Sequence, residues 1–314
     1  MTTFTHHLTL AAPLFLLILA GFALMRGLGW PKSMSENLTQ FLFTAALPAM
    51  MFRMMSDLSR LPPVDIRLLL AFFGSCLIVF VIGRLIAARA FRLDGVGQSV
   101  FALGGVFSNN VLLGIPLAKV TLGDAALPAV ALVLVFNSLT LWTLVTVSVE
   151  WARHGSFSLH GFAKTVRAVL TNPLVAGILS GTLFGLSGLG LPDFIDLPLH
   201  MLGQAAAPIA LVALGMGLAE YGIREGWRIS LSISAIKLLL QPLVVWLLAR
   251  LIGLPPMETQ VVVLLGSLAV GANVYLMSRQ FKVLEGAIAG SLVISTVLAA
   301  LTTPLLLALT QAAH

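Results

Sequence analysis

Charge is what this sequence has least of. Only 10% of its 314 residues are Asp, Glu, Lys or Arg, whereas soluble domains carry about a quarter. With 59% hydrophobic residues and a mean hydropathy of +1.03, this is the composition of an integral membrane protein, with few residues left for a soluble domain. The single cysteine, Cys76, falls inside an apolar run, which excludes a disulfide framework. The histidines (His6, His7, His154, His160, His200, His314) all fall in the termini or in connections. No acid lies deep in an apolar run, since Asp124, Glu150, Glu220, Glu258 and Glu285 sit near run ends. A proton relay through a buried acid therefore has nothing to run on. Enzyme signatures are missing too: there is no HExxH, no GxSxG, no intramembrane Asp pair, no Cys/His cluster and no P-loop. The reading is a non-enzyme with no cofactor, no catalytic residue and no metal site, and with the coupling ion, Na+ or H+, left open.

What the chain does have is hydrophobic runs punctuated by charge, Pro and Gly. They read as ten spans near 10–28, 36–55, 66–90, 97–119, 124–149, 168–188, 197–219, 229–252, 257–278 and 285–310. The apolar run after the N-terminus continues into this polytopic pattern and has no basic region before it, so it does not read as a cleaved signal. The net charge of +6 reflects topology rather than nucleic acid. Twelve of the 18 Lys and Arg flank the odd-numbered connections, five lie on the other side, and Lys237 is inside a span. Basic residues gather in the cytoplasm. Both termini are therefore expected to be extracytoplasmic, with the 151–167 loop inside the cell and the protein in the inner membrane.

Sliding the chain against itself by 160 residues exposes a repeat. Pro13, Leu14, Ile18, Leu19 and Gly21 meet Pro173, Leu174, Ile178, Leu179 and Gly181. Leu42, Ala45, Ala46 and Pro48 meet Leu202, Ala205, Ala206 and Pro208. Each copy holds five spans, an odd number, so the second must enter the membrane upside down. The expected fold is all-α, a 5+5 inverted repeat of residues 1–150 and 168–314, an architecture whose substrate site lies between the repeats near the midplane.

The stretch most at odds with a continuous helix is Ser108-Asn109-Asn110-Val111-Leu112-Leu113-Gly114-Ile115-Pro116 in span 4. Proline removes a donor, glycine permits non-helical angles, and no water is present to repair freed backbone groups. This predicts a discontinuous helix, with its second half starting near Gly114–Pro116 and pointing a positive end at the midplane. Span 9, its counterpart, carries Gly266, Gly271 and Asn273 but no proline. Read alone, those small residues serve close packing as well as a break. Two such ends suit an anion, most simply a carboxylate, with Asn109, Asn110 and Asn273 orienting it. Asn137 and Gln204 are further polar candidates that also read as interhelical glue. Lys237 lies roughly 12 Å along span 8 from its cytoplasmic start. It could attract substrate, neutralise the negative ends of the half-helices, or snorkel to the surface.

These residues resemble the auxin efflux carrier family, which includes plant auxin exporters and bacterial carriers of small carboxylates. Asn109 to Leu117 is similar to its span-4 signature, N-x-x-x-x-G-[IL]-P, and further matches are Ala46-Leu47-Pro48-Ala49, Lys237 to Pro242 and Gly271 to Leu276. The resemblance implies crossing broken helices 4 and 9, a scaffold of helices 1, 2, 6 and 7, transport helices 3–5 and 8–10, elevator-like alternating access and a homodimer. It places Asn109 next to substrate and Pro116 at the crossing. It departs from the family at span 9, where the usual proline is absent. The function expected is secondary transport of a mono- or dicarboxylate such as malonate. The rivals are a sodium-coupled symporter of a larger organic anion and a ligand sensor that moves nothing.

Overall fold

The computed structural model describes residues 2–56, 64–154, 167, 171–221 and 226–312. Most of the expected cytoplasmic loop, 155–166, lies outside the described residues. Twelve helices follow in order among the described residues: α1 Thr2–Arg26, α2 Lys32–Ser56, α3 Leu68–Ala90, α4 Gly95–Val106, α5 Asn110–Leu122, α6 Leu127–His154, α7 Pro173–Leu186, α8 Asp193–Leu218, α9 Trp227–Ile252, α10 Pro256–Ser267, α11 Ala272–Phe281 and α12 Glu285–Ala312. Seven of them (α1, α2, α3, α6, α8, α9 and α12) contain a stretch long and apolar enough to cross a membrane. The expected spans 4 and 9 are each divided, into α4 with α5 and α10 with α11, and span 6 is the 14-residue α7.

Local sequence sets the ends. Asp94 caps α4 by accepting from the Gly97 N–H at 2.8 Å, and Asn172 caps α7 by accepting from Leu174, with Pro173 in the first turn. Gly123 (φ 82°) turns the chain between α5 and α6, a conformation that a residue with a Cβ rarely adopts.

Proline leaves a second mark. Three helices contain a wide π turn, at Leu42–Ala46, Asn110–Gly114 and Ile236–Leu240, and each stands just before a proline: Pro48, Pro116 and Pro242. A proline cannot donate to the carbonyl four residues back. The residue before it instead reaches five back, with Leu47 donating to Leu42, Ile115 to Asn110 and Gln241 to Ile236. The extra residue in the turn lets the helix continue past the ring.

Glycines bring two helix pairs into backbone contact. α1 lies along α8, and α2 along α7. A Cβ on Gly21 would stand 2.1 Å from the Val212 carbonyl oxygen, and one on Gly181 would stand 2.5 Å from that of Phe52. A Cβ on Gly215 would stand 1.8 Å from the Ile18 carbonyl oxygen, and one on Gly177 2.7 Å from that of Pro48. Such contacts hold helices together where lipid removes any hydrophobic drive. The Arg53 guanidinium adds a two-pronged ion pair to Asp196, at 2.7 and 2.9 Å, between α2 and α8.

Candidate functional site

Helices α4 and α10 stop in the middle of their apolar segments, and the chain is extended at Phe107–Asn109 and Leu268–Gly271 before α5 and α11 begin. The two interruptions repair each other. The Asn109 N–H donates to the Ala269 carbonyl at 2.9 Å, and the Gly271 N–H donates to the Phe107 carbonyl at 2.8 Å, around an antiparallel bridge between Ser108 and Val270. Pairing this close needs Gly271, because a Cβ there would meet the Ser108 carbonyl oxygen and the Phe107 ring at 2.9 Å. Gly114 serves the same end less strictly: its Cβ would meet the Leu268 side chain at 2.8 Å.

The remaining freed groups find side chains. Ser295 accepts from the Val270 N–H at 3.0 Å, Thr303 donates to the Ser267 carbonyl at 3.0 Å, and the Lys237 ammonium donates to the Gly266 carbonyl. A backbone break in a segment this apolar survives only with such partners. That answers why span 9 is interrupted without a proline. Ser295 and Thr303 were missed in the sequence reading. The signal was a stripe of buried small and hydroxyl residues every fourth position along α12, Ser291, Ser295, Ala299 and Thr303.

The first expected break is displaced. It lies at Phe107–Asn109, not at Gly114–Pro116, because the π turn absorbs Pro116 and lets the second half start at Asn110. Asn109 stands at the junction with non-helical angles (φ −77°, ψ 62°), and its carboxamide has no partner among the described residues. Asn110 donates to the Asn137 carboxamide oxygen at 3.3 Å, while its own oxygen is buried and unpartnered, as is the Ser108 hydroxyl. Asn273 is half-buried in the first turn of α11. α8 packs against the Asn110–Gly114 turn.

Polarity follows from the capping. Neither α5 nor α11 has a side-chain cap at its N-terminus. The Asn110 N–H donates to the Ser108 carbonyl at 2.9 Å and the Val274 N–H to the Gly271 carbonyl at 3.0 Å, which leaves Val111, Leu112, Ala272 and Asn273 as the first-turn N–H groups with no partner within the helix. The C-terminal carbonyls of α10, by contrast, are met by Lys237 and Thr303. Two positive ends stay open and the negative end is covered, an arrangement that favours an anion. Lys237 is fully buried, and its bond to Gly266 rules out snorkelling. Pro48 packs its backbone on Gly177, and Pro208 is exposed on α8.

A separate cavity of about 890 Å³ is lined by the end of α2 (Met50, Arg53), by Lys119 and Asp124, and by the start of α8 (Asp196, His200). Of the polar candidates read from the sequence, Gln204 lines it, whereas Asn109, Asn110, Asn137, Asn273 and Lys237 do not. His200, expected in a connection, stands inside α8 with its ring nitrogen 2.9 Å from the Gln204 amide. Tyr221 and Tyr275, the chain's two tyrosines, meet edge to face at 4.9 Å. Nothing in the sequence pattern pairs them.

The family described as "Membrane transport protein" matches this chain over residues 6–156 and 158–307. The chain belongs to that family. This bears out the resemblance to auxin efflux carriers read from span 4, and it makes the chain a membrane transport protein rather than an enzyme. The transport protein is similar to a Rhizobium meliloti (strain 1021) protein named "Putative malonate transporter". The two are 27% identical over 300 residues, which cover 93% of this chain and 92% of the relative.

Proposed function

We propose that this transport protein is a secondary carrier of small mono- or dicarboxylates, malonate among them, with the substrate held where the α4–α5 and α10–α11 interruptions meet. The observation that carries the proposal is the junction itself, with two uncapped helix N-termini and the free carboxamide of Asn109 gathered at one bridge. A carboxylate would accept from those N–H groups. Asn109, Asn110 and Asn273 would fix its orientation, Gly114, Pro116 and Gly271 would shape the backbone around it, and Lys237 would balance the covered helix end. The name of the Rhizobium relative supports malonate as the first substrate to try.

The same proposal reads the architecture as ten spans in a 5+5 inverted repeat, with helices 4 and 9 crossing at the junction. The glycine contacts support it. Gly21 meets Val212 and Gly181 meets Phe52, and a shift of 160 positions converts the first pair into the second, with the partners exchanged. In this scheme α1, α2, α7 and α8 form the scaffold, the rigid frame of a homodimer, and the other helices move past it as an elevator. With both termini extracytoplasmic in an inner membrane, the cavity near Arg53 and Lys119 becomes the outer vestibule.

The test is uptake of radiolabelled malonate and related carboxylates by proteoliposomes holding the purified protein. Saturable uptake supports the carrier. Binding without flux, for every carboxylate tried, would make it a sensor.

A further inference from the structure

The buried surroundings of Lys237 hold more than one polar group. Its ammonium donates to the Gly266 carbonyl in the last turn of α10. Four residues on, Gln241 donates from Nε2 to the Ser75 hydroxyl at 3.0 Å and to the Cys76 sulfur at 3.4 Å, while its Oε1 is buried with no partner. Gln241 also packs on Gly266, whose Cβ would lie 3.9 Å from Gln241 Cγ. Lys237, Gln241 and Ser75 are all fully buried. The cluster therefore offers neutral oxygens at the negative end of a helix, the donor set of a weakly bound monovalent cation, and no described carboxylate pairs with Lys237 there.

We propose that the Lys237 ammonium is a built-in counter-cation, occupying the place that a mobile alkali ion would otherwise take, so that the carrier needs no Na+. The inference rests on the carrier reading for its consequence but not for its geometry. A cation attached to the chain cannot be released with the substrate. Substrate then moves without a co-transported alkali ion. The Lys237→Ala variant leaves the Gly266 carbonyl without its partner.

The experiment measures thermal unfolding of purified wild type, Lys237→Arg and Lys237→Ala in NaCl, LiCl, KCl and choline chloride at equal ionic strength, with malonate uptake measured alongside. A ligand bound only by the folded state raises its melting temperature. The expected result is that wild type and Lys237→Arg melt at the same temperature in every salt. Lys237→Ala should melt lower in choline and recover in at least one alkali salt. Should Lys237→Ala not yield folded protein, Lys237→Met and the wild-type salt series carry the test. Wild type stabilised by Na+ over choline, or malonate uptake that requires Na+, would overturn the proposal, as would a folded variant lacking the ammonium that ignores every cation. Absence of uptake with the expected melting pattern would instead count against the carrier reading alone.

Discussion

The Asn109 amide nitrogen lies 2.9 Å from the Ala269 carbonyl oxygen, and the two residues stand 160 positions apart, the same shift that superposes Pro13 on Pro173 and Gly21 on Gly181. In the proposed inverted repeat this hydrogen bond joins corresponding points of the two halves. A pseudo-twofold relation between the halves would pass through it.

The glycine contacts yield the first prediction. A Cβ on Gly215 would stand 1.8 Å from the Ile18 carbonyl oxygen and one on Gly181 2.5 Å from that of Phe52, whereas Gly217 has nothing within 4 Å. Gly215→Ala and Gly181→Ala should each lower the melting temperature, since backbone must move to make room. Gly217→Ala, on the same helix as Gly215, should leave it unchanged or raise it slightly, as alanine favours helix over glycine. Melting curves in detergent decide between them.

The Asn110–Asn137 contact yields the second. Asn137→Leu removes the acceptor at 3.3 Å from Asn110 Nδ2 and leaves a buried donor unsatisfied, at a cost of about 1–3 kcal/mol. Replacing both residues by leucine should recover much of that stability, because an apolar pair leaves nothing unpaired. The double variant should still lose transport through loss of Asn110. A double-mutant cycle of stability, read beside uptake, checks both halves.

Burial pushes the Tyr221 phenol up to about 12. A group whose folded value is raised contributes stability that is whole below its unfolded value, about 10 for tyrosine. That contribution is then lost as pH climbs toward about 12. Unfolding measured across alkaline pH should show this loss in wild type and a smaller one in Tyr221→Phe. Linking Tyr221→Cys to Tyr275→Cys with a short reversible cross-linker should stop transport until the link is cleaved, because Tyr221, just past the end of α8, and Tyr275 on α11 belong to opposite sides of the proposed elevator.

Much of this was legible before the structure. Seven of the ten hydrophobic runs coincide with helices long and apolar enough to cross a membrane, and Asn109 and Gly271 were singled out by residue type. The position of the first break was not legible. Proline was taken to start a half-helix, but a π turn costs one extra residue and carries the helix past Pro116. The interruption in span 9 was hidden for a different reason. Its cause is not a local breaker but partners far along the chain, Phe107, Ser295 and Thr303. Single-residue signals do not report hydrogen bonds made across so many positions. The Tyr221–Tyr275 contact is a third case, set by packing between elements that share no pattern.

In the proposed carrier, Asn109 holds the substrate at the junction. The most direct measurement is counterflow of radiolabelled malonate into malonate-loaded proteoliposomes, comparing wild type with Asn109→Ala at equal protein incorporation. The Asn109 carboxamide has no protein partner among the described residues, so the variant should fold and melt like wild type. Rapid label accumulation is expected with wild type, and accumulation at the level of protein-free liposomes with Asn109→Ala. Counterflow by a folded Asn109→Ala variant matching that of wild type would contradict it.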